Sequence, residues 1–142
     1  MIRLAKEEEF KKLIEIWEDS VKATHTFLSL EGIDFFRPKI LNEYLDAVEV
    51  YVYEENQEIL GFIGVLENKV EMLFITPLKF KKGIGKKLLS FAINTLNIDA
   101  LDVNEQNENA VNFYKYMNFK VIGRSEIDGL GKPFPLLHLK LQ

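Results

Sequence analysis

The stretch "VEMLFITPLKFKKGIGKKLLSFA", Val70 to Ala92, passes from a β-type run into a helix through a basic, glycine-bearing turn. Val70 to Thr76 is an apolar run of strand length, Pro77 stops it, and Ile84, Leu88, Leu89, Ala92 and Leu96 then recur at helical spacing. Between the two, Lys79, Lys81, Lys82, Lys86 and Lys87 surround Gly83-Ile84-Gly85, in a chain whose formal net charge is −4. A helix start offers unpaired N–H groups and the positive end of a macrodipole, and glycines let an anion approach without an intervening Cβ. The same residues also read as an ordinary strand-to-helix turn with a solvated lysine face, because exposed lysines add only modest, salt-sensitive attraction. Two phosphate loops are excluded. No glycine stands five residues before Gly83, as G-x-x-x-x-G-K-[ST] requires, and Leu88 occupies the third glycine position of G-x-G-x-x-G.

Working outward, "VEVYVYE" and "ILGFIGVLE" precede this stretch, divided by a polar turn at "ENQE" and a second at Asn68-Lys69, so the three runs form an antiparallel meander. Ile2 to Leu4 is a short first strand. Phe10, Leu13, Ile14, Trp17, Val21 and Leu28 predict an amphipathic helix from about Lys6 to His25. In "EGIDFFRPKILNEYLDA", Pro38 is expected to divide a short helical turn from a second helix. Downstream, "ALDV" is a short buried strand and "NENAVNFYKYMNF" a helix. "KVIGRS" and "LLHLKL" close the chain as a strand pair around the loop "EIDGLGKPFP". The order is β-α-α-β-β-β-α-β-α-β-β. It predicts an α/β fold with a single mixed, largely antiparallel sheet and helices on both faces, in one domain spanning 1–142.

Composition narrows the function classes. At 142 residues and 47% hydrophobic content, the chain can bury a core without staples. Its acidic balance argues against nucleic-acid binding. The absence of cysteine removes disulfides, thiolate metal sites and a cysteine nucleophile, and no metal site is expected. The charged start "MIRLAKEEEF" is not a secretion signal, and no apolar run approaches the length of a membrane span. A soluble cytoplasmic protein is the expectation.

A second motif lies in "VNEQNENAVNFYKYMNF". Asn107, Ala110 and Tyr114 fall at i, i+3 and i+7, on one helix face, with Tyr116 pointing away from it. Together with the strand, proline, basic turn and G-x-G, this spacing resembles the GNAT superfamily of acyl-CoA-dependent N-acetyltransferases. Gly83 and Gly85 match the small positions of that family's [RQ]-x-x-G-x-[GA] pyrophosphate loop. Phe80 departs from it, standing where arginine or glutamine is usual, although its backbone N–H is retained. Asn118 replaces the usual glycine before Phe119, a mild change because asparagine also suits a left-handed helix exit. The early "WEDSVKATHTFL" and late "GRSEIDGLGKPFPLLHL" narrow the likeness to one bacterial branch of the superfamily.

The resemblance implies a GNAT fold, acetyl-CoA as cofactor, and direct acetyl transfer to a primary amine of a small molecule or peptide. It places the donor on Phe80, Lys81, Lys82, Gly83, Ile84, Gly85 and Lys86, on Asn107 and Ala110, and along Leu73, Phe74 and Ile75, which pair with pantetheine and polarise the acyl carbonyl. Tyr114 matches the tyrosine near the sulfur; a phenol of pKa about 10 can protonate a departing thiolate. Glu71 stands where some members carry a base. Glu105, His25 and His138 are other candidates, and no single base is assignable from the residues alone. Trp17, Thr24, His25, Phe27 and His138 fall on the acceptor side, which the loop "DGLGKPFP" is expected to close. Such domains are often homodimers. Phe80 and the unassigned base leave open an alternative, a non-catalytic acyl-CoA-binding module that senses rather than transfers.

Overall fold

A computed structural model describes residues 1–24 and 28–142. Seven strands form one sheet in the order β1-β2-β3-β4-β5-β7-β6. They are β1 (Ile2–Leu4), β2 (Glu49–Glu55), β3 (Glu58–Leu66), β4 (Lys69–Ile75), β5 (Ala100–Asn104), β6 (Phe119–Ser125) and β7 (Leu136–Leu141). Only β4 and β5 pair in parallel; every other neighbour pair is antiparallel. The meander turns on two-residue loops. Asn56 and Gln57 both take positive φ, 51° and 64°, the type I′ geometry whose twist matches the flanking strands. The single mixed, largely antiparallel sheet and the succession of elements agree with the expectation from the residue pattern.

The helices are α1 (Phe10–Thr24), α2 (Leu30–Lys39), α3 (Leu45–Ala47), α4 (Ile84–Leu96) and α5 (Glu108–Tyr116). One apolar cluster packs Leu13, Ile16, Trp17 and Val21 of α1 and Ile33 of α2 on Val50, Val52, Phe62 and Met72 of the sheet. On the other face, Leu88, Leu89 and Ala92 of α4 and Val111 and Tyr114 of α5 meet Ile63, Val70, Leu101 and Leu139. Leu88, Leu89 and Ala92 are fully buried, so truncating either leucine to alanine costs about 2–5 kcal/mol.

Two local expectations are corrected. The first helix begins at Phe10 after a 3-10 turn at Glu7–Glu9, not at Lys6, and Leu28 lies beyond its end. Pro38 does not divide two helices: α2 runs through it. Proline removes only one backbone donor near that helix's last turn, and a π turn at Ile40–Tyr44 carries the chain on into α3.

One irregularity creates the site. Gly64 pairs with Met72 but Val65 with Val70, so Glu71 is an extra residue in β4. Such a bulge bends and twists its strand. β4 and β5 are registered only at Lys69–Ala100 and Val70–Leu101, and beyond that point the two strands part. The edge of β4 from Glu71 to Ile75 is left open toward β5.

Candidate active site

A cavity of about 870 Å³ runs through this opening. Its size lies within the range of small-molecule and cofactor sites. One half is built on α4 and α5 and the other on α1, α2 and the β6–β7 loop.

In the first half, Lys79, Phe80, Lys81, Gly83, Ile84, Gly85 and Lys86 line the wall. Among the described residues, no backbone N–H from Lys81 to Lys86 has a partner, whereas Lys87 N donates to Gly83 O at 3.0 Å and starts the helical ladder. No side chain caps the helix. Gly83 has φ +85°, and a Cβ there would meet nothing within 4 Å, so its cost as any other residue is backbone strain rather than a clash. Bare donors, a dipole end and flanking lysines together fit a phosphate-bearing group. Lys82 does not line the cavity. Phe80 is half-buried and contributes an apolar wall where the family pattern has a polar side chain.

Asn107 is the residue preceding α5, and its Oδ1 accepts from Ala110 N at 3.3 Å, so this side chain sets the start of the helix as well as facing the cavity. Asn118 takes φ 72° at the helix exit, the left-handed conformation its residue type allows. Tyr114 also lines the cavity and is 8% exposed. Its ring packs against Phe113 and Phe119, with centroids 5.4 and 6.1 Å away. Burial pushes the phenol well above its ordinary pKa, so Tyr114 stays protonated and keeps a proton to donate. The open edge carrying Leu73, Phe74 and Ile75 completes this half. Sequence reasoning missed Asn104, whose Oδ1 is buried at the cavity wall with no hydrogen-bond partner. An asparagine ending an otherwise buried strand was the available signal, since such an atom needs a partner.

The second half is lined by Ser20, Thr24, Phe36, Tyr44, Glu71, Asp102, Asp128, Gly129 and Leu130. Asp128 Oδ1 accepts from Leu130 N and Lys132 N, both at 2.9 Å, which folds the loop over this side as its glycines and prolines led one to expect. Lys132 then lies 4.5 Å from the centroid of the Phe35 ring on α2. Asp102 accepts from Lys69 Nζ at 2.7 Å and stands 2.6 Å from His138 Nδ1. Burial pushes its carboxyl up, but the bonds to Lys69 and His138 outweigh this and hold it below the usual carboxylate range. Three carboxylates, Glu71, Asp102 and Asp128, therefore border this mouth.

Of the acceptor-side residues expected from the sequence that lie among the described residues, Trp17, Thr24 and His138, Thr24 alone faces the cavity, with its hydroxyl donating to Ser20 O at 2.8 Å. Trp17 does not line the cavity: it is 4% exposed within the α1 cluster, where the periodicity that marked it records a buried face. His138 lies on the sheet beside the cavity rather than in its lining, where its ring reaches Asp102 and Ser125. Glu105 is paired with Arg124 at 2.6 Å and takes no part in the lining. His25 and Phe27 lie outside the described residues. Among the described residues there is no cluster of potential metal ligands, and no helix is long and apolar enough to cross a membrane.

Comparison with known proteins adds to this geometry. Residues 17–132 match the family model described as acetyltransferase (GNAT) domain. The chain is 43% identical over 139 residues to the peptidyl-lysine N-acetyltransferase YjaB of Salmonella typhimurium, covering 97% of this chain and 95% of that protein. To YjaB of Escherichia coli it is 40% identical over 142 residues, covering 97% and 94%. The solution structure of the apo form of E. coli YjaB resembles it with a TM-score of 0.88 at 39% identity, over 99% of this chain and 95% of that one. The PaiA N-acetyltransferase of Thermoplasma acidophilum, solved with coenzyme A, shares the fold at TM-score 0.78 and 24% identity, over 100% and 98%.

Proposed function

Since this chain belongs to the GNAT acetyltransferase family, we propose that it moves an acetyl group from acetyl-CoA directly to the side-chain amine of a lysine in a peptide or protein. One observation carries the reading: a single cavity joins the unpartnered N–H groups of Lys81 and of Gly83 to Lys86, the open edge of β4, the buried Tyr114 and an acidic mouth. Acetyl-CoA, when bound, brings an acetyl thioester. The chain's own parts divide the remaining work. The amides around Gly83 and Gly85 hold phosphate. The edge at Leu73, Phe74 and Ile75 adds the pantetheine arm as a strand would be added and points N–H toward the acyl oxygen, the kind of preorganised contact that is often the largest catalytic contribution. Asn107 and Asn104 orient the arm, and Tyr114 gives its proton to the departing sulfur.

The acceptor must arrive as a neutral amine. A lysine-like amine of pKa about 10.4 requires roughly 4.6 kcal/mol to deprotonate at pH 7. Glu71, exposed on the bulge at the cavity wall, is the group we assign to receive that proton. With Asp102 and Asp128 it also attracts a cationic side chain before reaction, which favours lysine over a neutral amine. Use of acetyl-CoA by a chain without cysteine fits a cytoplasmic setting.

A non-catalytic acyl-CoA sensor would need neither a protonated phenol in the cavity nor an acidic mouth, and both are present. The test is acetyl-CoA consumption across a panel of lysine peptides, α-amine peptides and small polyamines, with mass spectrometry of the products. Acetyl on lysine Nζ is expected. Acetylation confined to α-amines would contradict the acceptor assignment, and consumption on no amine would contradict transfer altogether.

A further inference from the structure

Beside the cavity, three neighbouring strands carry a hydrogen-bonded row of which only Asp102 borders the acetyl-transfer cavity. His138 stands between Leu137 and Leu139, whose side chains join the α4 and α5 cluster, so its ring is on the opposite sheet face. Its Nδ1 lies 2.6 Å from Asp102 Oδ1 on β5, and its Nε2 lies 2.7 Å from Ser125 Oγ on β6. Asp102 is ionised and its second oxygen is taken by Lys69 Nζ, so the imidazole proton belongs on Nδ1. That leaves the Nε2 lone pair to accept the Ser125 hydroxyl proton. Serine, imidazole and carboxylate thus follow the order of nucleophile, base and orienting group, a constellation recognised by geometry rather than by fold or chain order.

The backbone is shaped around this row. Register shifts between Val121 and Gly123, so Ile122 is an extra residue in β6 and is turned outward, 63% exposed. The shift puts Gly123 directly across from His138. A Cβ at Gly123 would stand 3.4 Å from His138 Cδ2, so the missing side chain leaves the imidazole free to lie across β6 and reach Ser125. The side chains of His138 and Asp102 are 33% and 26% exposed, which leaves the row open to a reagent. His138 and Ser125 do not line the cavity, and Asp102 is the one residue common to both places.

We propose that Ser125 is an acyl-accepting nucleophile, with His138 as its base and Asp102 as the positioning residue, forming a second centre beside the acetyl-transfer cavity. Its substrates are activated acyl compounds, aryl esters and thioesters. As the Oγ–C bond forms, the Ser125 proton passes to His138 Nε2. The bond from carbon to the leaving oxygen or sulfur breaks, and His138 returns the proton to that leaving group. Acyl-Ser125 and a free phenol or thiol result, and no oxidant or further reactant is required.

The experiment treats the full chain with a fluorophosphonate probe and maps the adduct by mass spectrometry. Here the Oγ–P bond forms, fluoride leaves and His138 takes the proton. One adduct, on Ser125, is expected. Its rate should fall about a hundredfold in His138→Gln and about tenfold or more in Asp102→Asn, with unfolding temperatures recorded for each. In a parallel arm, 4-nitrophenyl acetate should release nitrophenolate and leave acetyl on Ser125, and Ser125→Ala should show neither. No adduct at Ser125 in the wild type would overturn the proposal. So would equal labelling rates in wild type and a folded His138→Gln. Variants that only melt earlier, with no Ser125 adduct in any form, would mark the row as a strand staple and overturn it equally.

Discussion

The two halves of the cavity are built from different material. The half on α4 and α5 works mainly through the backbone: unpartnered N–H groups from Lys81 to Lys86, a left-handed glycine and an open strand edge. The half on α1, α2 and the β6–β7 loop works through side chains, with Glu71, Asp102 and Asp128 converging from three separate elements. A backbone site is tolerant of side-chain change, because its donors remain while conformation is kept; Phe80, whose own N–H donates to Pro77 O at 3.1 Å, removes none of the donors from Lys81 to Lys86. A side-chain site has no such tolerance, and each substitution alters charge or shape. On the proposed function, the first half would carry the common chemistry and the second the choice of substrate.

Substitutions can break this division. The largest effect is expected at Tyr114, where the halves meet. Tyr114→Phe should lower turnover about a hundredfold or more while acetyl-CoA affinity stays near wild type, measured by steady-state kinetics beside calorimetry. Unchanged turnover with chemistry rate-limiting would remove its role. Gly83→Val comes next. It forces a β-branched residue into φ +85° and should weaken acetyl-CoA binding tenfold or more, by roughly 1.4 kcal/mol or above, without changing preference among acceptors. Glu71→Gln should show the reverse pattern, about tenfold lower kcat/KM for a lysine peptide with the acetyl-CoA KM retained. Its response to salt should also flatten, because exposed charges act within about 10 Å at 0.1 M. Asp128→Ala frees the loop from its two backbone bonds and should raise the peptide KM a few-fold, visible in peptide titrations but not in coenzyme titrations.

The smallest effect lies away from both halves and serves as a baseline. Hydrogen bonds from Arg3 outweigh partial burial and hold the Glu9 carboxyl at about 2, against an ordinary value of 4.5. A lowered folded-state pKa contributes stability that is complete above the unfolded value and is lost as pH falls toward the folded one. The melting-temperature gap between wild type and Glu9→Gln should therefore be constant above about pH 4.5 and close toward pH 2. Catalysis should be unaffected. A gap that persists at low pH would reassign that contribution from charge to packing.

The same division explains what could be read from the residues. The first half is local in sequence, so Gly83, Gly85, Asn107 and Tyr114 announce themselves through spacing on two helices. The succession of strands and helices along the chain followed from apolar runs and turn residues. The second half depends on register and on loops meeting across the fold. No spacing rule brings Asp102 to His138, or Lys132 to Phe35 on α2, because those contacts follow from which strands pair and how a loop returns. Trp17 shows the limit on one residue: helical periodicity identified a buried face but not whether that face met core or cavity. Pro38 shows it on the backbone, where a following π turn let the helix continue through a residue that usually ends one.

The central claim, that the donor is held by backbone at the open start of α4, can be tested residue by residue. The direct measurement is a titration of the uniformly 15N-labelled chain with coenzyme A, following the amide signals. The account predicts that the largest shifts fall on Lys81 to Lys86, the amides without partners, and on the β4 edge at Leu73 to Ile75. Shifts that leave Lys81 to Lys86 in place, with saturating binding registered elsewhere, would contradict it.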